Sequence, residues 1–138
     1  MNQLITIETE INKPIDLVWT HFTKDEHITK WNFASPDWHS PRAETNLKVG
    51  GVFTIRMEAK DGSFGFDFSG KYTEIIPYQK LAFVIEDGRS VVNLFESSGN
   101  RTRIIQQFEA ENENPAEMQR DGWFAILTNF KNYCESTL

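Results

Sequence analysis

The fold is decided by Asn114-Pro115-Ala116-Glu117-Met118-Gln119-Arg120-Asp121-Gly122-Trp123-Phe124-Ala125-Ile126-Leu127-Thr128-Asn129-Phe130-Lys131-Asn132-Tyr133-Cys134. Asn114 is a residue type that accepts backbone N–H bonds ahead of a helix, and Pro115 suits the first helical position, where no donor is needed. Glu117 puts a negative charge in the first turn, where the helix dipole favours it. From Trp123 onward the apolar residues Ile126, Leu127, Phe130, Tyr133 and Cys134 fall at the spacing of one helical stripe. Such a helix needs a broad apolar surface to lie on. The preceding chain reads mostly as strands and supplies one.

The chain has 138 residues, enough for one domain that buries roughly two-thirds of its unfolded surface. Its 39% hydrophobic and 25% charged residues are those of an ordinary globular protein rather than a disordered chain. The aromatic load is heavier: 11 Phe, 4 Trp and 3 Tyr must each find a large buried area. A net charge of −6, with no local Lys/Arg cluster, gives nucleic-acid binding no electrostatic basis. Cys134 stands alone, which excludes an internal disulfide and a cysteine-based metal cluster. The start of the chain, Met1-Asn2-Gln3-Leu4-Ile5-Thr6-Ile7-Glu8, shows no secretory signal, and no apolar run reaches the ~20 residues that span a bilayer. The expectation is a cytoplasmic protein without membrane insertion.

Working back from the helix, strands are expected at Leu4–Ile11, Val52–Glu58, Phe64–Tyr72, Leu81–Glu86, Val91–Glu96 and Thr102–Glu109, each with apolar alternation. Ile5, Ile7, Thr9 and Ile11 share one face of the first strand; Phe53, Ile55 and Met57 share one of the second. Phe64, Phe66 and Phe68 share a third face, and Gly70 is expected to mark a bulge or bend. Asp61-Gly62 and Asp87-Gly88 are hairpin signals. Between 91 and 96 the inward phase is ambiguous, since Val91, Asn93 and Phe95 compete with Val92 and Leu94. Pro14 opens a short helix through Phe22, and Thr23 is placed to cap a second helix, with Glu26 three residues on. Residues 32–46, with Pro36 and Pro41, read as a long loop whose Phe33 and Trp38 pack down onto the body. The resulting order is strand, two short helices, a five-strand antiparallel meander and a long helix. That is an α+β chain with one curved sheet wrapped around the final helix.

Trp31, Asn46-Leu47-Lys48-Val49-Gly50-Gly51-Val52-Phe53, Met57-Glu58-Ala59-Lys60-Asp61-Gly62, Gly70-Lys71-Tyr72-Thr73-Glu74-Ile75 with Pro77, and Gly122-Trp123 followed by Leu127, Phe130 and Tyr133 together resemble the family of activator of heat-shock protein ATPase homologues. That family lies within the START-like, pollen-allergen-like (SRPBCC) superfamily. The runs Trp31–Trp38 and Phe64–Gly70 resemble a bacterial branch of single-domain members, while Asn46 and Lys48 stand where many relatives carry Asp and Arg. The resemblance implies one START-like domain over residues 1–138, with a helix-grip fold and an apolar cavity between the sheet and the last helix. Superfamily members bind lipids, sterols, polyketides or hormones, and some catalyse cyclisation or hydrolysis in that cavity.

The residues carry their own case for a cavity. Phe53, Phe66, Phe68, Phe83 and Phe108 on a concave face leave space under one helix if the rings splay, and form a solid core if they interdigitate. Gly122 is expected where the sheet or a ligand approaches the helix closely. Gln106 shares the face of Ile104 and Phe108, and is either a ligand-orienting group or an ordinary satisfied amide. With Phe95, Trp123 and Leu127 along the wall and Trp31 and Trp38 beside His39 at the entrance, these side chains form the candidate ligand site. No catalytic residue is assigned. His21, His27 and His39 lack metal-ligand spacing, so neither a metal nor a cofactor is expected. Asp37 next to Trp38-His39 is an acid–base pair only if the loop brings them together. Cys134 falls in the buried stripe, and Asp67 points away from its flanking phenylalanines. The leading function is binding of a small hydrophobic or lipid-like ligand. The alternatives are a cyclase- or hydrolase-like enzyme using the same cavity, and a module that activates a chaperone ATPase. A homodimer through the sheet edge or the loop is compatible with the sequence, and a chaperone partner has no direct support in it.

Overall fold

The computed structural model of the chain describes residues 3–136, so the outermost two residues at each end of the expected 1–138 domain lie outside it. Strand β1 (Leu4–Ile11) leads into helices α1 (Ile15–Thr23) and α2 (Asp25–Ile28). Then follow β2 (Trp38–Thr45), β3 (Val52–Ala59), β4 (Gly65–Ile76), β5 (Lys80–Ile85), β6 (Ser90–Ser98) and β7 (Arg101–Glu109), and helix α3 (Ala116–Ser136) closes the chain. All strands join one curled antiparallel sheet in the order β1-β7-β6-β5-β4-β3-β2. The expected α+β architecture, a sheet gripping the last helix, is the observed one.

One strand was hidden from the sequence. Residues 38–45, read as part of a loop, form edge strand β2 along β3, so the meander has six strands rather than five. Pro41 is what disguised it. The proline sits where the β2–β3 register shifts between His39 and Arg42, on a strand with no neighbour on its other side. A missing N–H is tolerated on an edge strand and at a bulge, and Pro41 has both. Thr23 likewise does not cap α2; its hydroxyl donates back to the Trp19 carbonyl at 2.8 Å. The α3 start is tied down by Gln119, whose Nε2 donates to the carbonyls of Glu111 and Asn114.

The concave face collects the inward side chains of each strand, and the phase of β6 is settled: Val91, Asn93 and Phe95 point in while Leu94 is exposed. Helix α3 is held against this face by rings at two separate places. Near its start, Trp123 lies flat on Phe108 of β7, centroids 4.1 Å apart and planes within 10°. Further on, Phe130 meets Phe22 edge-on at 5.1 Å and Trp31 at 4.7 Å, while Phe22 and Trp31 stack on each other. Asn129 Nδ2 reinforces that second anchor by donating to the Trp31 carbonyl at 2.8 Å.

Two glycines differ from expectation. The β4 irregularity lies between Tyr72 and Glu74, not at Gly70. Gly70 instead lets the Phe53 ring lie on the β4 backbone, because a Cβ there would come within 2.7 Å of that ring and of the Val84 carbonyl. At Gly122 no atom lies within 4 Å of a would-be Cβ, so neither sheet nor side chain presses on the helix there. Opposite stability effects are therefore expected from the same substitution in urea unfolding. Gly70→Ala costs about 1–3 kcal/mol through overpacking. Gly122→Ala gains up to about 1 kcal/mol, since alanine restricts the unfolded chain and suits a helix interior.

Candidate functional site

Helix α3 packs along β1 at one margin of the sheet, and between it and strands β3 to β5 lies a cavity of about 300 Å³. Alternation along the strands aims Phe53, Ile55 and Met57 of β3, Phe66, Phe68 and Tyr72 of β4, and Leu81 and Phe83 of β5 at it. Trp123, Ile126 and Leu127 of α3 roof it, and Phe22, Ile28, Trp31 and Asn32 from the α1–α2 segment close one side. Phe66 lines the space and is itself 39% exposed, which places the opening on its side.

Of the side chains singled out from the sequence, Trp31, Phe53, Phe66, Phe68, Phe83, Gln106, Trp123 and Leu127 meet on this wall. Trp38, Phe95 and Phe108 do not. Trp38 packs on Phe64 and Phe66 at about the opening, with ring centroids 6.0 and 6.1 Å away. Phe95 stands edge-on to Trp19 and Phe22, and Phe108 is fully buried beneath Trp123. Phe64, grouped with Phe66 and Phe68 by alternation, precedes β4 and is 62% exposed. Sequence reasoning missed the apolar Phe22, Ile28, Ile55, Met57, Leu81 and Ile126 on the wall and, among the side chains with polar groups, Asn32, Tyr72 and Arg89. Tyr72 had a signal, since it continues the inward parity of Phe66 and Phe68. Asn32 and Arg89 had none, because each lies just outside a regular element.

The polar part of the wall is small. Gln106, 8% exposed, donates from Nε2 to Asn93 Oδ1 at 2.7 Å. The Asn32 amide is 7% exposed, and its Nδ2 has no hydrogen-bond partner, an arrangement that costs free energy in a buried position. Burial pushes the Tyr72 hydroxyl far up, with the Asp25 charge adding to it, so the phenol stays neutral. Arg89 is already engaged: Nε donates to Asp87 Oδ2 at 2.8 Å and Nη1 to the Glu109 carbonyl at 3.1 Å.

The histidines lie away from this wall. His21 and His27, six residues apart across a helix break, stack with centroids 4.0 Å apart, and His27 Nδ1 meets the Tyr133 hydroxyl at 2.7 Å. His21 Nδ1 donates to the Leu17 carbonyl at 2.8 Å. The trio clasps α1 and α2 to the end of α3. His39 faces Glu58 at 3.5 Å rather than Asp37. Among the described residues no group of His, Cys, Asp and Glu side chains gathers as a metal site. Cys134 is buried in the α3 stripe, and burial, with the Glu135 charge adding, pushes its thiol up to about 12. No described helix is long and apolar enough to cross a membrane.

Comparison with known proteins agrees with this geometry. The family model described as Activator of Hsp90 ATPase homolog 1-like protein matches residues 12–135. The solution structure of an AHSA1-like protein from Aeromonas hydrophila is 41% identical, with a TM-score of 0.92 over 97% of this chain and 93% of that one. Chr148 from Cytophaga hutchinsonii is 44% identical, with a TM-score of 0.82 over 95% of this chain and 91% of that one. Protein NE0264 from Nitrosomonas europaea, at 19% identity and a TM-score of 0.80 over 94% of this chain and 92% of that one, shares the fold. Among curated proteins none matches.

The buried histidine yields a pH dependence. Burial first, and then the neighbouring His27, lower the His21 pKa below its ordinary 6.5, so the unfolded chain binds this proton more readily than the folded one. Stability from this group is complete above about 6.5 and is lost as pH falls below it. Urea midpoints taken between roughly pH 7.5 and 5.5 are expected to decline on acidification, and His21→Gln to flatten that decline.

Proposed function

The chain belongs to the Activator of Hsp90 ATPase homolog 1-like protein family, and from that premise we propose that it binds a small, mainly apolar molecule in the cavity beneath α3. What supports this most directly is the cavity itself, about 300 Å³ walled mainly by aromatic and aliphatic side chains. That volume lies at the lower end of the range typical of ligand sites. Filled at interior packing density, it has room for roughly a dozen non-hydrogen atoms. An apolar guest of that size gains by leaving water and by meeting rings already held in place, with little reordering of the protein.

The wall chemistry favours binding over catalysis. Its hydrogen-bonding side chains are two amides, a neutral phenol, the indoles of Trp31 and Trp123, and a guanidinium already paired with Asp87. Such groups orient a guest. Proton abstraction or nucleophilic attack needs a base or an activated nucleophile within hydrogen-bond reach, and His21, His27, His39 and Cys134 all sit off the wall.

Thermal unfolding in the presence of phenylcyclohexane tests the proposal. At a hundredfold excess over its dissociation constant the guest should add about 2.7 kcal/mol, a rise in Tm of roughly 10 °C. Ile126→Trp, which pushes an indole into the cavity from α3, should abolish the rise. A wild-type Tm that moves with no apolar compound of this size refutes it.

A further inference from the structure

The hydrogen bonds behind the wall fix which end of one amide faces the cavity, and this defines the chemistry of the guest. Leu81, Asn93 and Gln106 are cross-strand partners on β5, β6 and β7. Asn93 is fully buried, and its Nδ2 donates to the Leu81 carbonyl at 3.1 Å. A backbone carbonyl only accepts, so the Asn93 nitrogen must face it and Oδ1 must face Gln106. Gln106 in turn must present Nε2 to that oxygen, as it does at 2.7 Å. The end left over is Gln106 Oε1, an acceptor on the cavity wall to which none of the described side chains donates. One main-chain carbonyl thus sets the polarity of a side chain two strands away.

A wholly hydrocarbon guest would strip water from Oε1 and return nothing, whereas a hydroxyl or N–H would satisfy it. Charge adds a second restriction. The one charged side chain on the wall, Arg89, is matched by Asp87 at 2.8 Å, and the second amide, Asn32, is neutral. An anionic guest would lose its hydration with no unmatched cation to receive it. We propose that the guest is an uncharged apolar molecule bearing one hydrogen-bond donor, which it gives to Gln106 Oε1. This rests on the cavity being a binding site, as proposed above.

Four probes of one shape separate the possibilities: phenylcyclohexane, 4-cyclohexylphenol, its methyl ether 4-cyclohexylanisole, and 4-cyclohexylbenzoate, titrated by calorimetry at neutral pH. The phenol is expected to bind roughly tenfold tighter than the ether, which offers only an acceptor, and at least about tenfold tighter than the benzoate. Gln106→Leu should erase the advantage of the phenol over the ether. Asn93→Leu tests the positioning role: it frees the Gln106 amide to turn, so the phenol-to-ether ratio should shrink with phenylcyclohexane little changed, whereas mere structural damage weakens all four probes alike. A phenol no better than the ether in the wild-type protein, or a benzoate that binds tightest, overturns the proposal while the cavity remains a binding site. If phenylcyclohexane and the other probes all fail to bind, the binding function falls and this proposal with it.

Discussion

The structure depends on α3 being held against β1 along one margin of the sheet and by aromatic rings at two places. Trp123 on Phe108 fixes the approach of the helix near its start, and Phe130 wedged against Phe22 and Trp31 fixes it further along. Rings are stiff, with few rotamers, and cannot shorten to let the helix sink. The helix therefore lies beside β1 and stands off the middle strands β3 to β5. The gap there is bounded on the helix side by Trp123, Ile126 and Leu127. Gly70 serves the same arrangement from the sheet side, by letting Phe53 lie down on β4 rather than stand up into the space.

Given the gap, its chemistry follows from what the strands place around it. Most of the wall is hydrocarbon, as expected where both sheet and helix turn their apolar faces inward. The exceptions are few, and two of them are held from behind. Gln106 leans on Asn93, which leans on a backbone carbonyl; Arg89 is gripped by Asp87 and by the end of β7. Polar groups fixed in this way discriminate among guests better than mobile ones, because they cannot turn to suit a guest with the wrong pattern of donors.

The architecture was legible because its signals are periodic. The α3 stripe from Trp123 to Cys134 and the alternation of Phe53-Ile55-Met57 each repeat an element's own geometry, and two Asp-Gly pairs mark hairpins. Strand β2 was not legible, because a proline inside a strand-like run argues against a strand unless that strand is an edge or bulged, and edges are known only once the sheet is assembled. The wall was legible where alternation reached it, as with Phe66, Phe83 and Gln106. It was not legible at Asn32 and Arg89, which are carried there by the path of the chain after α2 and after the β5–β6 turn. Nor does periodicity reveal that Phe108 spends its inward face on Trp123. Facing the core and facing a cavity are the same statement until the partners are in place.

The bulge at Pro41 has a further effect on how the molecule meets its own kind. A sheet that ends in a straight, fully bonded strand invites another to add on, and so seeds aggregates. Here the terminal strand β2 lacks one amide donor and loses its register between His39 and Arg42, so a foreign strand has no continuous ladder to copy. A chain so rich in phenyl and indole groups is prone to self-adhesion. The bulge on β2, one of the two edge strands, is a safeguard against it at that edge.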